Sequence, residues 1–341
     1  MGYHVTGKQR ALALVLVSIM LAAPWGSMPL ASEDTVPLED RDHPQPVNQL
    51  TQLFPVADGF TYTNLSQSPN SGITTLERPS ISWSATSGFG LTNLRTGACS
   101  AYLPATDEVF LIGGRIDGDP TQTGDESPTK TVEIFDVANQ EWTPAVEELK
   151  EEQQYHKCAV VDNKIYAIGD HHPYETPSVQ ATGVVQVYDP ANGNWSYGTS
   201  MPATKSVGLA GVASQNGMIY VAGGVSLKDR SDATDRLMRY DPVNDTWTEM
   251  ANMNHTRHSF ELVSFRGKLI AYGGVAEFFD PIANTTVEGE TNLTESYDPI
   301  TDSWTQLPNA THAMSAYAAA VYNHEIVIVG GYSISGWQAS L

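Results

Sequence analysis

The chain has 341 residues, 41% hydrophobic and only 17% charged, which excludes a mostly disordered protein and supplies enough apolar area for a large core. Its formal charge of −21, from 39 acidic against 18 basic residues, repels a phosphate backbone and argues against nucleic acid as a partner. The 28 glycines, 20 prolines and 15 tyrosines favour many short strands joined by turns over helices.

At the N-terminus, Lys8 and Arg10 precede the apolar run Ala11–Ala23, which ends at Pro24. That is the order of charged and apolar segments in a secretory signal. Residues 1–31 therefore read as a leader, and the chain as secreted. The alternative is an uncleaved anchor, because Ala11–Ala31 carries no charge, and only then is a membrane partner expected. Residues 32–72 are acidic and proline-bearing and read as a linker. Seven N-x-S/T sequons, at Asn64, Asn194, Asn244, Asn254, Asn284, Asn292 and Asn309, agree with export and make a glycoprotein the expectation.

From residue 73 to 341 the chain repeats with a period of about fifty residues. Apolar runs end in glycine doublets at Gly113-Gly114, Gly223-Gly224, Gly273-Gly274 and Gly330-Gly331, with Gly169 followed by Asp170 at the second. After each of the first four comes an aromatic residue followed by aspartate, then a tryptophan seven residues beyond the aromatic. The pairs are Phe135/Trp142, Tyr188/Trp195, Tyr240/Trp247 and Tyr297/Trp304. An alternating run stopped by glycine is a strand that ends where a side chain has no room. Asp-Pro with Asn-Gly or Asn-Asp supplies the turn between two further strands. Each period thus holds four antiparallel strands, a to d. One such sheet cannot bury both faces, so neighbours must stack.

The doublet, tyrosine and tryptophan at these offsets resemble the kelch family. The resemblance implies an all-β, kelch-type β-propeller. Trp83 lies at the tryptophan position of an incomplete repeat, and residues 73–84 read as an orphan c–d hairpin. Ser315–Gly331 supplies an a–b pair without its c–d partner. The expectation is about five blades, the last completed by the N-terminal strands. The alternative is a six- or seven-bladed ring of which this chain is a truncated part.

In such blades the b–c and d–a connections share one face, where binding residues are expected on a rigid scaffold. The position entering strand a reads Arg95, Gln154, Val207, Arg257 and Met314. Two arginines there would hold a carboxylate or an acidic peptide, or pair with acidic neighbours in the blade. Asp117 in the first b–c loop and the adjacent His171 and His172 in the second complete the ligand candidates. The remaining histidines lack metal-ligand spacing, no nucleophile elbow is present, and neither metal, cofactor nor catalytic residue is expected. Cys99 and Cys158 read as occupying the same register on strand a of consecutive repeats, either bridged or as two buried thiols.

The functional expectation is an extracellular scaffold that binds a protein or glycan on the b–c/d–a face. Two alternatives share the fold: a sugar-acid mutarotase using Arg95 and Arg257, and a surface adhesion module with residues 32–72 as its stalk. Copper enzymes resembling galactose oxidase have no residue-by-residue match.

Overall fold

Strand a and strand b of each repeat are short runs of small and branched apolar residues, suited to a sheet that is covered on both faces. In the computed structural model these runs pair as expected. It describes residues 95–117, 126–139, 141–169, 183–226, 233–280, 285–322, 324–329, 331–333 and 336–337. The leader, the linker, the 73–84 hairpin with Trp83, and Asn64, His171, His172, Asn284 and Gly330 lie outside the described residues.

Four antiparallel sheets follow one another in order a-b-c-d. The first holds Cys99–Leu103, Glu108–Ile112, Val132–Asp136 and Glu141–Pro144. The second holds Lys157–Val161, Lys164–Ile168, Val185–Asp189 and Asn194–Gly198. The third holds Gly211–Gln215, Met218–Ala222, Leu237–Asp241 and Thr246–Met250. The fourth holds Leu262–Phe265, Lys268–Tyr272, Thr294–Asp298 and Ser303–Leu307. A fifth a–b hairpin follows, Ala318–Tyr322 with Glu325–Val329.

The seven-residue interval has a geometric cause. Each aromatic sits directly opposite its tryptophan across the c–d hairpin, as in Tyr240↔Trp247 and Tyr297↔Trp304. The same register places Phe135 on Trp142 and Tyr188 on Trp195, with ring centroids 5.2 and 5.4 Å apart. The turn is set by the aspartate after the aromatic. Asp241 Oδ1 accepts from Val243 N and Asn244 N, and Asp136 Oδ1 does the same for Ala138 and Asn139.

The core lies between sheets rather than inside any one of them. Leu103, Phe110 and Ile112 of the first blade pack with Ile165, Ala167 and Trp195 of the second. Tyr166 and Ile168 of the second meet Val212, Ile219 and Tyr240 of the third, and Tyr220 and Leu237 of the third meet Leu269 and Tyr297 of the fourth.

Face-to-face packing also corrects the cysteine register. Cys99 pairs with Ile112, whereas Ile168, the matching residue of the second blade, pairs with Lys157. Cys158 is therefore one residue out of step with Cys99. Alternate residues of a strand face opposite ways, so this offset turns the two sulfurs toward each other across neighbouring blades. They are disulfide-bonded, with Cα atoms 5.6 Å apart.

The tyrosines and tryptophans do more than fill space. Tyr297 donates to Asp302 Oδ1 at 2.7 Å, and Asp302 Oδ1 also accepts from Ala251 N of the preceding connection at 2.9 Å. Trp304 Nε1 donates to Ala251 O at 2.8 Å, so both polar groups of one residue are held. Tyr240, Asp245 and Trp247 hold Thr199 in the same way. The second blade has Gly193 where these have aspartate, so it lacks the carboxylate half of this clamp. The disulfide ties that blade to the first.

Candidate binding face

Before each strand a the chain makes one sharp turn through a left-handed residue. These are Gly97 (φ 61°), Tyr155 (52°), Leu209 (56°), Ser259 (55°) and Ala316 (50°). Four of the five carry a side chain in a region costing about 1–2 kcal/mol per residue. The reason is a hydrogen-bonded relay from blade to blade. Tyr155 N donates to Gly97 O, Leu209 N to Tyr155 O, Ser259 N to Leu209 O, and Ala316 N to Ser259 O, at 2.7–3.2 Å. Among the described residues no further bond joins Ala316 to Gly97.

The glycine doublets are wedged behind this relay. A Cβ on Gly113 would lie 2.6 Å from Gln153 O, and one on Gly223 only 2.4 Å from Arg257 O. The second glycine donates its N–H to that same carbonyl, Gly114 N to Gln153 O and Gly224 N to Arg257 O, each at 2.8 Å.

Just past the doublets, the b–c connections fold back onto the segments that enter strand a. Arg115–Asp117 pairs with both Arg95–Thr96 and Glu126–Pro128. Val225–Ser226 pairs with Val207–Gly208. Val275 bridges His258 and opens the hairpin Val275–Asp280 with Thr285–Glu290, and Tyr332 bridges Ser315. Asp117 thus enters this rim by its backbone. A threonine marks each return: Thr129, Thr234 and Thr291 accept through Oγ1 from the backbone N two residues on. That repeating threonine, three residues before strand c, is a signal the sequence reading missed.

Arg95 and Arg257 occupy equivalent places, and both are turned into the blade wall. Arg257 Nη1 donates to Gly273 O and Leu293 O at 3.0 and 3.1 Å, and Nη2 to Glu295 Oε2 at 2.5 Å. Arg95 repeats the set with Gly113 O, Thr131 O and Glu133 Oε1. All four side chains are 0–2% exposed, so neither guanidinium faces a ligand, and of the two expectations it is pairing with acidic neighbours in the blade that holds. Burial lowers the pKa of both arginines, while each glutamate partner pulls it back up.

In the second blade the equivalent residue is Gln153, one before the expected Gln154. Its Nε2 donates to Gly169 O at 2.8 Å, and its Oε1 accepts from Gln186, which occupies the glutamate position of strand c. Gln154 is buried beside it. The third blade fills the two places with Val207 and Met238, both buried in one apolar cluster. The arginine–glutamate, glutamine–glutamine and valine–methionine pairs are three solutions of one structural position. Two extra residues in the first a–b turn, Pro104–Asp107 against Arg266–Gly267, put Arg95 18 residues before its doublet where Arg257 is 16 before its own.

Other charged groups here also have structural partners. Lys157 of the second blade pairs with Glu261, at the start of the fourth, reaching past the third. His258, 14% exposed in its side chain, has its Nδ1 2.9 Å from Ser259 Oγ and its Nε2 4.0 Å from Glu288 Oε1. Burial pushes its pKa down to about 4. His156 is buried, and its pKa is pushed down to about 3 by desolvation and by Lys157. Of the sequons, Asn194, Asn244, Asn254 and Asn309 are exposed. The amide Nδ2 donates to Asn192 O in Asn194, to Asp241 Oδ2 in Asn244, to Glu295 Oε1 in Asn254 and to Ala310 O in Asn292.

Comparison with known proteins agrees with this architecture. Residues 67–337 match the family described as the Attractin/LZTR1 beta-propeller. "Kelch-like protein terF" of Aspergillus terreus is 30% identical over 52% of this chain and 39% of its own length. "Kelch-like protein 36" of Rattus norvegicus is 33% identical over 45% of this chain and 24% of its own. "Kelch-like protein 23" of Homo sapiens is 27% identical over 67% and 36%. The chain therefore spans between a quarter and two fifths of these relatives. The solved "Structure of YjhT" shares the fold, with TM-score 0.60 and 14% identity over 73% of this chain and 80% of that one. The chain belongs to the Attractin/LZTR1 β-propeller family, and its blades are kelch repeats.

Proposed function

We propose that this chain is an exported kelch scaffold that binds a partner protein on the rim built by its b–c connections and the segments entering strand a. One observation carries the reading: the base of each described b–c connection is paired to an entering segment, and those segments are joined to each other by the backbone relay. Connections held at their base lose little further freedom on binding, which favours recognition. The fourth hairpin carries Glu277, Asp280, Glu288 and Glu290, and the chain is strongly acidic, so the partner presents a neutral or basic surface. Export is supported by the leader with Lys8 and Arg10, by the exposed sequons and by the disulfide.

Crosslinking from position 288 in the full chain would identify the partner, which is then purified. Replacing residues 277–288 by Asn-Gly should weaken its binding at least about 100-fold, as loss of a central contact does. Thermal stability should stay unchanged. Unaltered affinity places the partner elsewhere. An intact mass that retains residues 1–31 refutes export by a cleaved leader.

A further inference from the structure

Three side chains that no sequence spacing groups together converge between the first two blades. Cys99 opens strand a of the first, Cys158 is the second residue of strand a in the next, and His156 lies just ahead of that strand. Their sulfur and ring-nitrogen atoms all lie within 4.8 Å of one another. His156 is 2% exposed, and among the described residues neither Nδ1 nor Nε2 has a hydrogen-bond partner. Burying such a group without a bond costs about 1–3 kcal/mol. Its ring packs on Gly113, where a Cβ would approach Cε1 to 2.9 Å, so a doublet glycine leaves the space the imidazole fills.

We propose that, in the dithiol form, Cys99, Cys158 and His156 bind one thiophilic d10 cation, Zn2+ or Cu+. Two thiolates and a neutral imidazole are the donor set such cations select. Zn2+ with two thiolates is electrically neutral, which suits a buried site. Its fourth ligand is a water entering beside half-buried Cys158. Cu+ takes the three ligands without added water once the two sulfurs have separated. In the disulfide both sulfurs are uncharged and bonded to each other, so bond and cation exclude one another. Opening the bond takes two electrons: a phosphine and one water yield the phosphine oxide and two thiols, and the cation then displaces both protons. The redox state of the surroundings decides which form exists. The inference does not rest on the partner-binding reading.

The test uses the full chain, phosphine-reduced without oxygen, against the disulfide form. Zn2+ and, separately, Cu+ are titrated in competition with a chromophoric chelator. The reduced protein should bind one equivalent of at least one cation and the oxidised protein none. Cys99→Ser should abolish binding, and His156→Asn should lower affinity by more than the about 100-fold that a lost outer-shell contact costs. X-ray absorption of the loaded wild type should show two sulfurs and one imidazole nitrogen, a readout that does not depend on the variants folding. No stoichiometric binding, unchanged affinity in His156→Asn, or a first shell without imidazole would each overturn the proposal.

Discussion

The arginine–glutamate pair of the fourth blade can be tested against the solution that the second blade uses. Arg257 and Glu295 are 0% exposed in their side chains and 2.5 Å apart. Glu295 also accepts from Asn254 N and Nδ2, at 2.9 and 2.7 Å. Glu295→Gln leaves a buried guanidinium without a counter-charge, which costs about 3–5 kcal/mol. For a domain of this size that lowers Tm by about 2–4 °C per kcal/mol. Arg257→Gln strands the carboxylate instead and should cost a similar amount. The double variant recreates the Gln153–Gln186 pair, whose two amides satisfy each other and the Gly169 carbonyl. It should therefore recover all but about 1 kcal/mol, a coupling of about 5–9 kcal/mol, above the about 0.5–3 kcal/mol usual between neighbours because each single variant strands a buried charge. Urea unfolding followed by tryptophan fluorescence measures all four proteins. If the double variant loses the sum of the two single losses, the glutamine pair is not an equivalent solution and the reasoning fails.

The clamps predict that Asp302→Ala costs about 1–3 kcal/mol in the same assay, because Tyr297 O–H and Ala251 N–H both lose their acceptor. A loss below about 0.5 kcal/mol would mean that water replaces the carboxylate freely. Ala316→Gly should raise stability slightly, by about 0.5–1 kcal/mol, since it relieves a left-handed residue at φ 50° at the cost of glycine entropy. In contrast, Gly223→Ala should be strongly destabilising, because its Cβ would stand 2.4 Å from a backbone oxygen. The His258 pKa is depressed to about 4 in the folded protein, from 6.5. Below pH 6.5 the unfolded chain binds more protons there, so stability falls as pH drops toward 4, by about 3 kcal/mol from this group. His258→Gln should flatten that part of the pH profile, and an unchanged slope would show that another group carries it.

Much of the architecture was legible in the residues because a kelch blade is local. The aromatic–tryptophan interval is a cross-strand pair within one hairpin, and a glycine doublet ends a strand where a backbone passes close by. Such features leave a periodic mark on the chain, and the four-stranded repeat follows from them. The wall pairs were only half legible. Position counting found Arg95 and Arg257 but not their partners Glu133 and Glu295, which lie on strand c beyond connections of differing length. It also put Gln154 where Gln153 belongs, although Gln153 keeps the same 16-residue distance to Gly169 that Arg257 keeps to Gly273. Only tertiary structure decided which way those guanidinium groups point, since burial next to a carboxylate and exposure to a ligand read identically along the chain. The same holds for Cys99, His156 and Cys158, which meet only because the faces of two stacked blades bring their side chains together.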